Sequence, residues 1–293
     1  MIIVKLMGGL GNQMFQYAAA RCLSKRHGTQ LKLDVSFFEG EQSGNTKRRF
    51  ELDNLCITAA KASRWEVITQ RNCKFENQLE NALVSLYQRV VGHTVYCEKS
   101  FNYDHQLLTL PDNVYLEGYW QSEHYFAEIK EVIRKEFSVR TPLTGRNREL
   151  AEEIRSVNAV SLHVRRGDYV LDAKTSAMHE VCDLGYYRRA EERVVQTLKH
   201  PHFFIFSDDP EWAEENLKLG GAVVYVSHNV DEAHEDLRLM SLCRHHIIAN
   251  SSFSWWGAWL APLPYKLVIA PKRWFRDPVI DTSDLIPSSW LRI

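Results

Sequence analysis

The stretch VSLHVRRGDYV, residues 160–170, sets His163, Arg165, Arg166 and Asp168 directly behind a run of apolar and small residues. A guanidinium offers forked donors that match phosphate oxygens, and it keeps its charge near neutral pH. Adjacent side chains in such a loop point different ways, so one arginine is expected on an anion and the other on Asp168 or nearby carbonyls. Asn250, Ser251, Ser252 and Phe253 open the stretch NSSFSWW at a second such position. Serines placed there cap the free amides of a helix, and those amides together with the helix dipole form an anion site. Asp208 and Asp209 precede Pro210, where helix capping competes with a metal-binding reading. No HxH or HExxH accompanies the pair, so no metal ligands are assigned. In GGLGN, residues 8–12, Gly9 and Gly11 allow close backbone approach and Asn12 can reach a ligand. Asp236 falls in the first turn of an otherwise apolar helix, either as a charge favourable to the helix start or as an acceptor for a nucleobase edge.

These groups share one place if the strands before them run parallel. After residue 158 the pattern AVSLHV, helix 186–199, FFIFS, helix 210–218, AVVYV, helix 232–244, HHIIAN, helix 253–261 and KLVIA alternates almost without interruption. Such alternation predicts a parallel sheet with helices on both faces, whose ligands bind at the carboxyl ends of the strands. IIVKLM, the glycine loop, a helix over 13–26 and TQLKLDV open the first half the same way, and NVYLEGYW with a helix from about Ser122 to Phe137 closes it. SVRTPLTG has the Pro, Thr and Gly content of a linker. The expected division is 1–145 and 146–293, with a C-terminal tail able to pack back on the first domain.

Size and composition bound the function classes. A chain of 293 residues exceeds the usual single core, and 45% hydrophobic with 25% charged residues is ordinary for a globular protein. Lys and Arg number 36 against 37 acids, so no global field draws the chain to nucleic acid or an anionic bilayer, and any anion site must be local. Six scattered cysteines without a CxxC fit a reduced cytoplasmic protein. Asn12, Gln13 and Gln16 interrupt the apolar N-terminal stretch, which reads as strand, loop and helix rather than a signal peptide.

GGLGNQMFQYA, HVRRGDY, FSDDPEW and DLRLMSLCRHHIIANSSFSWWGAWL, in this order, resemble the bacterial α-1,2-fucosyltransferases of glycosyltransferase family 11. The resemblance implies an α/β, GT-B-like fold of two Rossmann-like domains facing a cleft. It implies an inverting transfer of L-fucose from GDP-fucose to a sugar hydroxyl, O2 of a terminal galactose on an oligosaccharide or lipid-linked glycan, with no divalent metal and no further cofactor. By position, His163 and Asp236 would lie near guanine, Arg165 on the β-phosphate, and Ser251, Ser252 and Phe253 on the diphosphate. Asp208 and Asn250 belong to the same donor group, while Asn12 with Gly9 and Gly11 would come from the opposite domain. The expected counter-charge to the leaving group is Arg165 with the 251–253 amides. Asp168 is the first choice of base and Asp172 the second. Expected contact with a membrane is at most peripheral, through a lipid-linked acceptor.

Two other readings remain open on residues alone. Gly9-x-Gly11 with Asp34 suggests a dinucleotide-dependent oxidoreductase, although Met14 stands where a third glycine belongs. Eight tryptophans would suit a non-catalytic glycan-binding protein.

Overall fold

Ile2, Ile3 and Val4 are fully buried, and the strand they form lies inside an all-parallel sheet, which is why it shows no polar face. The computed structural model describes residues 1–40, 47–71, 94–167, 177 and 181–293. Its first unit comprises β1 (Ile2–Lys5), α1 (Leu10–His27), β2 (Leu31–Asp34), α2 (Ser36–Glu39), β3 (Ala60–Lys61), α3 (Arg64–Arg71), β4 (Thr94–Cys97), β5 (Val114–Glu117) and α4 (Lys130–Glu136). The sheet order is β3-β2-β1-β5-β4. The chain builds outward from β1 to β3, then returns on the other side, so the order reverses between β1 and β5. α1 is buried over most of Leu10–Ser24, where small and apolar residues dominate and Gln13 and Gln16 are buried among them, while its last turn, Lys25–His27, is exposed. It ends where Gly28 turns left-handed at φ 61° and donates to the Lys25 carbonyl.

The helix expected from Ser122 to Phe137 is broken. Two 3-10 turns, Glu123–Tyr125 and Ala127–Ile129, precede α4, and the Ser122 hydroxyl accepts the His124 amide at the first of them. Ser283–Leu285 also belong to this unit, where the Asp284 carboxylate accepts the Tyr103 amide at 2.9 Å.

The second unit runs from Ser138 to Thr282 and from Ile286 to Ile293. It comprises α5 (Gly145–Ser156), β6 (Asn158–Val164), α6 (Leu184–Thr197), β7 (Pro201–Ser207), α7 (Pro210–Asn216), β8 (Ala222–Val226), α8 (Ala233–Leu242), β9 (His245–Ile247), α9 (Ser252–Leu260), β10 (Val268–Ala270) and β11 (Leu291–Arg292). All pairings are parallel, in the order β11-β10-β9-β6-β7-β8, with the reversal between β6 and β9. Alternate residues serve the two faces. Val160, Leu162, Phe203 and Ile205 pack with Tyr187, Ala190 and Val194 of α6 on one side. Ala159, Phe204 and Phe206 pack with Leu150 and Ile154 of α5 and Leu239 and Met240 of α8 on the other.

α5 has no counterpart in the sequence reading. Its apolar stripe is only Leu150, Ala151 and Ile154 within a charged segment, enough to cover one sheet face and too little to announce a helix.

Candidate active site

The register sets the site. β6 and β7 pair up to Val164 and Ser207, so the loops that follow leave the sheet side by side. Across that gap Arg165 Nη1 meets Asp208 Oδ2 at 2.9 Å, and the Arg166 amide donates to Asp208 Oδ1 at 2.8 Å. Gly167 lets the loop wrap this carboxylate, because a Cβ there would come within 2.9 Å of Asp208 Oδ2. Arg166 turns the other way. Its Nε donates to Asp209 Oδ2 at 3.3 Å and its guanidinium lies 3.9 Å over the Trp212 ring. Asp209 also caps α7 by accepting the Trp212 amide. The two arginines thus point apart as expected, but Arg166 rests on Asp209 and Trp212. Asp168 and Asp172 lie outside the described residues.

His163 is the penultimate residue of β6 and only 4% exposed. Burial, with the Arg165 charge acting in the same sense and Asp208 opposing, pulls its pKa down to about 4, so the ring is neutral. Its Nδ1 has no hydrogen-bond partner among the described residues. The imidazole packs against Phe253, ring centroids 5.6 Å apart. This contact brings the HVRRGD and NSSFSWW segments together at the point where the strand order reverses, the place where doubly wound sheets hold ligands.

Ser251 is the N-cap residue of α9, yet its side chain makes no capping bond. Residues 252 and 253 form the first turn of α9, where the helix dipole favours an anion. Asn250 is buried, and its Nδ2 donates to the Trp274 carbonyl at 2.9 Å. Its amide thus fixes the loop before α9.

Asp236 sits in the first turn of α8, accepting Asn229 Nδ2 at 2.8 Å. Burial and the neighbouring Glu235 charge push its pKa up to about 7, against the lowering effect of Asn229. Sequence reading missed the amide network around it. Asn147 of α5 donates to Asn229 Oδ1 at 2.8 Å and receives His228 Nε2 at 2.7 Å, while Arg238 ion-pairs with Glu235. Asn147 lies 82 residues from Asn229, and no local pattern marks it.

In the first unit Gly8 turns at φ 78° and Gly9 starts α1. Gln13 holds the loop, donating to the Gly8 carbonyl at 3.0 Å and to the Arg49 carbonyl at 2.8 Å. Gly11 is buried in α1, and Asn12 Oδ1 accepts Gln121 Nε2 at 2.9 Å. Asp34, which a dinucleotide reading would place on a ribose, is 1% exposed and accepts the Tyr115 hydroxyl and the Ser36 amide. Each of its carboxylate oxygens already accepts a hydrogen bond inside the fold. Among the described residues no group of three or more His, Cys, Asp or Glu side chains could hold a metal ion, and no helix is long and apolar enough to cross a membrane.

Two Rossmann-like parallel sheets, one carrying a basic loop beside a helix start at its switch point, place the chain in the GT-B-like α/β class. The family model for glycosyl transferase family 11 matches residues 1–293, and the chain belongs to that family. An alpha-1,2-colitosyltransferase of Escherichia coli is 34% identical over all of this chain and 98% of its own length. The rat galactoside alpha-(1,2)-fucosyltransferase 2 is 24% identical over 89% of this chain and 67% of its own. Among solved structures, the fucosyltransferase NodZ from Bradyrhizobium aligns with a TM-score of 0.51 at 16% identity, covering 89% of this chain and 93% of that one. NodZ has also been solved after soaking with GDP-fucose.

Proposed function

We propose that the protein transfers L-fucose from GDP-fucose to O2 of a terminal galactoside, with inversion and without a divalent ion. The observation that carries this reading is the meeting of His163, Arg165 and the start of α9 at the reversal of strand order. A departing diphosphate gains negative charge, and preorganised donors aimed at that charge supply much of the rate. Arg165 is held for this by Asp208. The ion pair is partly exposed and worth only ~0–1 kcal/mol, so a phosphate can share or displace it. The 252 and 253 amides add fixed positive dipoles. Neutral His163 packs beside Phe253 at the nucleotide end of the sheet, and ionised Asp236 accepts the paired donors of guanine.

The acceptor hydroxyl must lose a proton, and Asp168, then Asp172, are the residues to test for that step. A cytoplasmic location, reaching a membrane only through a lipid-linked acceptor, belongs to the same reading, as does the absence of a nucleic-acid partner. Titration with GDP in the presence of EDTA tests the donor half, with NAD as the control. GDP-fucose with a panel of small glycans and linkage analysis tests the acceptor half. Saturable NAD binding without GDP binding would refute the proposal.

A second donor is favoured by one observation, the 34% identity to a colitosyltransferase. Colitose is fucose without its 3-hydroxyl, so the two donors differ by one polar group. Assays with GDP-fucose and GDP-colitose side by side decide between them.

A further inference from the structure

Glu235 and Asp236 are neighbours in the first turn of α8, and the fold treats them differently. Glu235 is 8% exposed and fully engaged: Arg238 Nε donates to its Oε2 at 3.0 Å, and Arg238 Nη2 reaches both of its oxygens. That guanidinium is itself tied to the Thr141 carbonyl at 2.6 Å. Asp236 is only partly buried, and its one hydrogen bond comes from Asn229 Nδ2 to Oδ1 at 2.8 Å. Its Oδ2 accepts nothing among the described residues and is not closed off from solvent. Of the two adjacent carboxylates, one is held by the fold and the other keeps an acceptor that a ligand can reach.

A side-chain amide can turn either its N–H or its carbonyl toward a neighbour, and Asn229 is denied that choice. It faces Asn147 in a reciprocal pair: Asn147 Nδ2 donates to Asn229 Oδ1 at 2.8 Å, and Asn229 Nδ2 donates back to Asn147 Oδ1 at 3.1 Å. Asn147 is oriented in turn from both sides, since its Nδ2 also lies 3.4 Å from Glu235 Oε2 and its Oδ1 accepts His228 Nε2 at 2.7 Å. Turning either amide over would set a carbonyl oxygen against a carboxylate. Asn147 reaches this position because α5 lies along α8, Leu150 and Ile154 packing with Leu239 and Met240. His228 and Asn229 come from the connection between β8 and α8, on the carboxyl edge of the sheet.

We infer that Asn147 and Asn229 are positioning residues that set nucleobase selectivity, holding Asp236 as a fixed acceptor for the N1–H and 2-amino donors of a guanine edge. Adenine, with an acceptor at N1, would face the carboxylate with no proton between them. This rests on the proposed reading of the chain as a GDP-sugar transferase.

The test uses the whole chain and calorimetry at pH 8, where Asp236 is mostly ionised. The probes are GDP, IDP, which lacks only the 2-amino group, and ADP. Wild type should prefer GDP to IDP about tenfold, the loss of one hydrogen bond to a charged acceptor, and should bind ADP more weakly still. Asn229→Ala should weaken GDP about tenfold and IDP only about twofold, so that most of the preference disappears. Asn147→Ala, at a half-exposed position, should lower the GDP/IDP ratio in the same direction and add little in the Asn229→Ala background. A purely structural role would weaken all three nucleotides together and leave their ratios intact. Asp236→Asn is the reference for complete loss of the preference. A wild-type GDP/IDP ratio in either asparagine variant, with that ratio lost in Asp236→Asn, overturns the inference and leaves the donor reading standing. A ratio kept in Asp236→Asn as well, or a wild type without preference for GDP, overturns the inference together with the guanine assignment.

Discussion

Asp236 should make GDP binding depend on pH near neutrality. Its carboxyl is pushed up to about 7 by burial and by Glu235, so in the free protein it is mostly protonated at pH 6 and mostly ionised at pH 8. Only the carboxylate can accept both donors of a guanine edge, so the apparent dissociation constant varies inversely with the ionised fraction. That fraction changes about tenfold between pH 6 and pH 8, equivalent to about 1.4 kcal/mol, with affinity stronger at the higher pH. Binding pulls the proton off, so about half a proton is released per GDP at pH 7. His163, lowered to about 4, does not titrate across this range. The assay is calorimetry with GDP at pH 6, 7 and 8 in buffers of different ionisation enthalpy. Because the terminal phosphate of GDP has its own titration, the informative quantity is the difference between wild type and Asp236→Asn. The variant should bind more weakly at pH 8 and lose the tenfold dependence. Asn229→Ala removes the hydrogen bond that lowers the pKa and should move the midpoint upward. Parallel pH profiles for wild type and Asp236→Asn would refute the role given to this carboxylate.

Arg165→Ala should lower turnover by about 10²–10³ as a preorganised donor to the leaving group is lost; a folded variant keeping a tenth of wild-type kcat contradicts the assignment. Chelation with EDTA should leave both GDP affinity and transfer unchanged, and loss of activity restored by magnesium would overturn the metal-free reading. Gly118→Ala would drive a methyl into Glu98 Cβ and the Trp120 ring and should destabilise the protein by about 1–3 kcal/mol, read as a lower midpoint in urea. Stability should fall on acidification below about pH 6.5. His163 and His246 are buried with lowered pKa values, so the unfolded chain takes up protons there while the fold does not. Each adds a slope of about 1.4 kcal/mol per pH unit between its unfolded and folded values, its stability being full above the unfolded value, and Asp236, raised to about 7, offsets one of them over the same window. Urea melts at pH 7, 6 and 5 on wild type and His246→Gln check this, the variant showing a shallower decline.

Much of the second unit was legible because its strands are short apolar runs separated by helices and polar loops. β6, β7, β8, β9 and β10 all fall where AVSLHV, FFIFS, AVVYV, HHIIAN and KLVIA place them. The strand end at Val164 followed by Arg165 could be read for the same reason. Local pattern fails where a few buried residues suffice, as in α5, or where a cap diverts the chain, as at Ser122. It fails most where partners are distant. The Tyr115 hydroxyl that occupies Asp34 lies 81 residues away, and without it Asp34 looks available to a ribose.

The amino-acid sequence alone determined the class: four motifs in order, parallel alternation, and arginines as local counter-charge in a nearly neutral chain. Those features are local, and residue chemistry and spacing encode them. Only the tertiary structure decided which polar groups find partners within the fold and which do not. Asn250 and Asp34 turn inward to a carbonyl and a hydroxyl, whereas His163, Trp120 and Gln121 keep buried polar atoms unmatched. The physical reason is that a polar atom's availability depends on burial and on partners from remote strands, and these exist only once the sheets have closed.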